Sequence, residues 1–64
     1  MKRVVRHQRV DGHTVAVVEI MEEEGPSFVL VTDDGSIINA DQPLPTLPDE
    51  ATARELFRRW RESL

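Results

Sequence analysis

The chain has 64 residues, 39% of them hydrophobic, and its 8 basic and 12 acidic side chains leave a net charge of -4. A domain this short buries only about 60% of the surface its unfolded chain exposes, so its core is thin. It has no cysteine to staple that core, and no Cys/His spacing that suggests structural zinc. No apolar run reaches the roughly 18 residues of a membrane span and no secretory leader pattern is visible, so the expectation is a cytoplasmic protein without a membrane partner.

The predicted elements follow from turn signals. Asp11-Gly12 and Asp34-Gly35 are two-residue hairpin signals, because the favoured turns need positive φ at their centre. Glu24-Gly25-Pro26 breaks the chain between two apolar runs. These marks delimit four strands, about residues 2–10, 13–21, 27–32 and 36–40, rich in Val and Ile that suit a pleated surface. Residues 42–48 hold three prolines and form an extended connector that Leu44 and Leu47 pin to the body. Pro48-Asp49-Glu50 starts a helix over about residues 49–63, in which Ala53, Leu56, Phe57, Trp60 and Leu64 make one apolar stripe. The expected fold class is α+β: a four-stranded antiparallel β-meander followed by one C-terminal α-helix packed on one sheet face, ββββα.

A two-residue loop at Asp11-Gly12 pairs Val10 with His13, Gln8 with Val15, His7 with Ala16 and Val5 with Val18. One face of that hairpin then carries Val5, Ala16, Val18 and Ile20, and the other Val4, Val10, Val15, Val17 and Met21. In the second expected hairpin, Phe28, Leu30 and Ile37 share one face and Val29, Val31, Ile38 and Ala40 the other. Both sheet faces are apolar, whereas a half-solvated antiparallel sheet alternates apolar with polar residues. One helix covers one face, so a second cover is needed. A second copy of the chain is the favoured cover, with Val15, Val17, Val29, Val31 and Ile38 as interface candidates. The alternative is that the proline segment and the chain's own ends fold over that face.

Charge is segregated. Lys2, Arg3, Arg6 and Arg9 make the first ten residues wholly basic, residues 11–50 hold ten acids and no Lys or Arg, and the tail is basic again. Carrying the hairpin register onward sets Arg3 opposite Ile20, Lys2 opposite Met21 and Val4 opposite Glu19, and brings the basic end beside Glu22, Glu23 and Glu24. In the helix, Arg54, Arg58 and Arg61 form one flank, Glu55 can pair with Arg59, and Arg58 with Glu62.

No constellation points to catalysis. His7 and His13 fall on opposite faces, so they share no metal, and Asp before Gly at Asp11 and Asp34 is a turn residue rather than a calcium ligand. No nucleophile–base grouping or phosphate-cradling glycine loop is present, and Trp60 reads as a core anchor. The chain is therefore expected to be non-enzymatic, with no catalytic, metal or cofactor-binding residues and no cofactor. The expected function is a small protein-interaction module, homodimeric through the second apolar sheet face. Two alternatives stand beside it. The first is a nucleic-acid-binding protein using the basic flanks Arg6, Arg9, Arg54, Arg58 and Arg61 on phosphates. The second is an acidic DNA-mimic inhibitor, suggested by residues 11–50. Four strands and a C-terminal helix are similar in layout to some dimeric single-strand-binding transcriptional coactivators, without a shared motif.

Overall fold

A computed structural model describes all 64 residues. Three strands, β1 (Lys2–Val10), β2 (His13–Glu22) and β3 (Gly25–Thr32), form one antiparallel sheet in the order β1-β2-β3, and α1 (Glu50–Glu62) follows. The β1–β2 turn has positive φ at both central residues, Asp11 at +50° and Gly12 at +83°, and sets Val10 opposite His13. Aspartate tolerates that left-handed geometry and glycine meets no steric penalty there, so the local sequence and the turn agree. The β2–β3 turn spans Glu23-Glu24 and sets Glu22 opposite Gly25.

The expected fourth strand is absent. After β3 the chain bridges to the sheet edge at two isolated points, Ile37 with Val31 and Leu44 with Phe28, and forms no continuous strand. Two side chains take up backbone groups there. Asp34 Oδ1 accepts from the Thr32 hydroxyl and, at 3.0 Å, from the Ser36 N–H, within a tight reversal closed by Thr32 N–H to Ser36 C=O at 2.9 Å, and the pairing it starts stops after the Val31–Ile37 bridge. Asn39 then presents its amide where a strand would present a peptide group. Its Oδ1 accepts from Leu30 N–H at 2.8 Å and its Nδ2 donates to Phe28 C=O at 3.2 Å. Backbone bonds from Phe28 N–H to Leu44 C=O and back, 2.8 and 2.9 Å, complete the edge. The strap satisfies the outer edge of β3 without continuing the ladder, and the layout similarity to four-stranded coactivators ends there.

The second correction concerns β1. Its register shifts between Val4 and Arg6, so Val5 is an extra residue, a β-bulge. Beyond it Lys2 faces Ile20, Arg3 faces Glu19 and Val4 faces Val18, each one place from the continuous register. The bulge turns Val5 against the core and Val4 outward, reversing their expected faces. It also sets Arg3 against Glu19, with Nε 3.0 Å from the carboxylate.

Helix α1 begins at Asp49, whose side chain accepts from Thr52 N–H at 2.7 Å, with Glu50 in the first turn and Arg59 and Arg61 in the last, as the helix dipole favours. Ala53 and Phe57 enter a core with Val10, Val15, Val17, Phe28 and Leu30, flanked by Val5, Ile38, Leu44, Leu56 and Trp60. Leu44 thus anchors the proline strap, whereas Leu47 is 53% exposed and pins nothing. Gln8 is one of two buried polar residues on the helix-covered face, with Thr32. Its Nε2 donates to Glu50 C=O at 3.0 Å and its Oε1 accepts from Arg6 Nη2 at 2.9 Å, which ties β1 to the start of α1.

The turn acids make stability pH-dependent. Hydrogen bonds from Thr32 and Ser36 hold the Asp34 carboxyl at about 2, below its ordinary 3.8. Asp11, Asp33 and Asp49 are lowered chiefly by hydrogen bonds with Arg58, His13 and Thr52 respectively. A carboxyl lowered in the folded state stabilises the fold fully above its unfolded value and loses that contribution as pH falls through the folded one. The melting temperature is therefore expected to hold from neutral pH to about 4 and to fall between about 4 and 2, with a shallower fall in Asp34→Asn. Thermal melts by circular dichroism across that range check it; an unchanged profile in Asp34→Asn would remove Asp34 from the account.

Candidate functional site

The helix covers one sheet face and leaves the other open. Alternation along the paired strands places Val4 of β1, Ala16, Val18 and Ile20 of β2, and Val29 and Val31 of β3 on the open side, with Ile37 beside Val31. Val4 is 50% and Ile37 48% exposed; Ala16, Val18, Ile20 and Val31 are half-buried, and Val29, on the strand beside the strap, is buried. Six aliphatic side chains on adjacent strands form one continuous patch. Scattered surface apolar residues need no explanation, but a contiguous patch with a polar rim marks an interaction surface.

The five sequence-derived interface candidates do not lie together. Val29 and Val31 are on the open face. Val15 and Val17 are wholly buried beneath α1, and Ile38 packs against the same core. The turn at Glu23-Glu24 decides this, because it pairs Val17 with Leu30 and Val18 with Val29. Val4, Ala16, Val18 and Ile20 replace them. The parity of a two-residue Glu23-Glu24 turn was the signal for the three β2 residues; Val4 required the bulge.

The rim is charged and asymmetric. On the β1 side lie Lys2, His7 and Arg9; Arg9 donates to Thr14 Oγ1 at 2.7 Å and to Gly12 C=O at 2.6 Å across the open side. Towards β3 lie Glu22, Glu23 and Glu24 at one end of the sheet; at the other end the Asp33 and Asp34 carboxylates turn to the helix side, against His13 and Thr32. Lys2, Glu22, Glu23 and Glu24 are exposed and enter none of the chain's ion pairs.

The basic flank residues do not converge. Arg6 is half-buried on the helix side beside Gln8, while Arg9 lies on the open side. Arg58 grips Asp11 with two bonds of 3.0 and 3.1 Å rather than pairing with Glu62, and its own proton is held more tightly as a result. Arg61 donates to His13 Nε2 at 2.7 Å and lies 5.7 Å from the centre of the Phe57 ring. Glu55 and Arg59 form their expected helical pair at 3.0 Å.

Around His13 is a cleft of about 240 Å³ walled by Asp33, Phe57, Trp60 and Arg61. An arginine donor on Nε2 makes that nitrogen the acceptor and leaves the imidazole proton on Nδ1, 3.3 Å from Asp33. Both ring nitrogens are thereby engaged. The widest concavity, about 460 Å³, runs between Leu56 and residues 38–45 of the strap, and Asp41 is the one ionisable group on its wall. His7 pairs with Ala16 and His13 with Val10, on opposite faces, and no three His, Asp or Glu side chains gather where they could hold a metal. No helix is long and apolar enough to cross a membrane. Compared with protein-family models, curated proteins and solved structures, the chain matches none of them.

Proposed function

We propose that the chain is a non-enzymatic protein-interaction module that docks through its open sheet face, with a second copy of itself as occupant. The observation that carries this reading is the contiguous apolar row Val4, Ala16, Val18, Ile20, Val29 and Val31 on the side the helix leaves bare. The strap is hydrogen-bonded along the β3 edge and α1 packs on the opposite face. A small domain with a thin core gains most by burying such a row against another copy.

Face pairing is favoured over edge pairing by charge. The free edge of the sheet is β1, with Lys2, Arg3, Arg6 and Arg9 along it. Two β1 strands joined antiparallel would set those like charges against each other, and edge charge of this kind works against strand addition.

Three strands about 4.8 Å apart and about eight residues long give a face of roughly 400 Å². That is about half the ~800 Å² per partner of a standard interface, so the dimer is expected at about 10–100 μM rather than at nanomolar concentration. Sedimentation velocity over a concentration series spanning that range is the test. The expected result is a reversible dimer weakened more than about tenfold by Val18→Asp, because an unpaired carboxylate would be buried at the interface. The monomer of Val18→Asp should stay folded by circular dichroism, since Val18 is outside the helix-packed core. A wild-type chain that remains monomeric into the millimolar range would overturn the proposal.

A further inference from the structure

From the charges around the open face, we infer that the two copies meet with their twofold axis parallel to the strands, so that β1 of each lies over β3 of the other. This rests on the face-to-face reading above and specifies its geometry.

Strands β1 and β3 both run antiparallel to β2, and so parallel to each other, at opposite edges of the sheet. Lys2 is level with Ile20 and Ser27, at the end where the Glu22–Glu24 turn protrudes. Arg9 is level with Thr14, at the end where β3 runs into Asp33 and Asp34. At the Lys2 end, therefore, charge on the open side runs across the strands, from basic at β1 to acidic at the glutamate turn; at the Arg9 end the Asp33 and Asp34 carboxylates turn to the helix side, against His13 and Thr32. A twofold axis lying between two stacked sheets has two simple settings. Perpendicular to the strands, it stacks β1 on β1 head to tail, and Lys2 meets Arg9 of the second copy. That contact is repulsive. Parallel to the strands, it stacks β1 on β3 with ends matched, and Lys2 meets the glutamate turn. That contact is attractive, and symmetry makes it twice. Aligned sheet packing, offset by about 30° through the twist, is compatible with this setting. The four groups at the first end, Lys2 and Glu22 to Glu24, form no ion pair within their own chain and are available to the second copy.

The test uses those unengaged groups, whose reversal leaves the chain's own ion pairs intact. Dimer dissociation constants are measured at low salt, by sedimentation, for wild type, Lys2→Glu, the double variant Glu22→Lys/Glu24→Lys, and the triple variant. The expected result is that each reversal weakens the homodimer about fivefold, as two screened contacts change sign, and that the triple variant recovers the wild-type value. A mixture of wild type and Lys2→Glu should give a heterodimer of intermediate strength. The perpendicular setting requires the reverse: Lys2→Glu would tighten its own homodimer, because a carboxylate would then face Arg9 at both symmetric contacts, with the heterodimer between it and wild type. That pattern, or charge variants all equal to wild type while Val18→Asp still breaks the dimer, would overturn the axis and leave the docking face standing. Monomers throughout would overturn both.

Discussion

Phe57→Ala is expected to unfold most of the protein. The Phe57 ring is 0% exposed and is the largest fully buried side chain. It sits at the junction of helix and sheet, 5.5 Å from the His13 ring and 6.0 Å from Trp60. Truncating such a ring costs about 3–5 kcal/mol, in lost burial and in the cavity left behind. A chain of 64 residues has total stability on the order of 3–10 kcal/mol. The loss therefore consumes about a third or more of what holds the domain, and the remaining helix contacts, Ala53, Leu56 and Trp60, are smaller or only partly buried. Urea titration followed by circular dichroism should show Phe57→Ala with little or no folded baseline. Phe57→Leu, which keeps most of the volume, should fold with a midpoint only modestly lowered. Leu64→Ala is the control: Leu64 belongs to the same apolar stripe by spacing but is 83% exposed, so its removal should leave the midpoint unchanged. Equal loss in Phe57→Ala and Leu64→Ala would contradict the core described above.

Asn39→Ala should produce the second-largest loss, from a residue with no apolar contribution to make. Its Oδ1 is the acceptor for the backbone N–H of Leu30, and Leu30 is 0% exposed. Removing the amide strands that N–H away from water, which costs about 1–3 kcal/mol. It also frees Phe28 C=O of one of its two donors and loosens the only cover on the β3 edge. The signature is local as well as global. Hydrogen exchange at the Leu30 amide should accelerate well beyond the change at Val17, across the sheet from it, while the urea midpoint falls. Exchange that rises equally at both positions would mean that Asn39 acts only through overall stability.

Much of this architecture is legible residue by residue. Positive φ at Asp11-Gly12 is a local demand that only a few residue types meet, so the first hairpin and its register near the turn follow from those two letters. The helix is equally local: Pro48-Asp49 begins it, and the spacing of Ala53, Leu56, Phe57 and Trp60 gives its buried side. That the sheet has apolar residues on both faces is also plain from the unbroken Val-Ala-Val-Val run of β2.

Three features are decided by contacts distant in the chain. The bulge at Val5 has no glycine or turn residue to mark it in the run Arg3-Val4-Val5-Arg6. It lets Val5 enter the core while Arg3 reaches Glu19, and those partners lie on other elements. The edge of β3 is closed by backbone bonds to Ser36, Ile38 and Leu44 and by the side chain of Asn39. Propensity favours a strand at Ser36–Ala40, but the Asn39 amide takes the Leu30 N–H and bonds the Phe28 C=O, and the ladder stops there. The membership of the open face depends on which residue of β2 stands opposite which residue of β3. A one-place slip exchanges every side chain between faces, so candidates drawn without that pairing mix Val15 and Val17 of the core with Val29 and Val31 of the surface.

The hairpin at Asp11-Gly12, the helix and its cap, the shortage of covered core and the segregation of charge can be read from the letters, because each depends on neighbours within one turn or on composition. That there are three strands rather than four, that Val4, Ala16, Val18 and Ile20 join Val29 and Val31 on the face away from the helix, and that Lys2 and the glutamate turn border that face from opposite sides emerge only in the folded chain. Those depend on strand register, which is set by the competition among bulges, turn geometry and side-chain hydrogen bonds across the whole sheet.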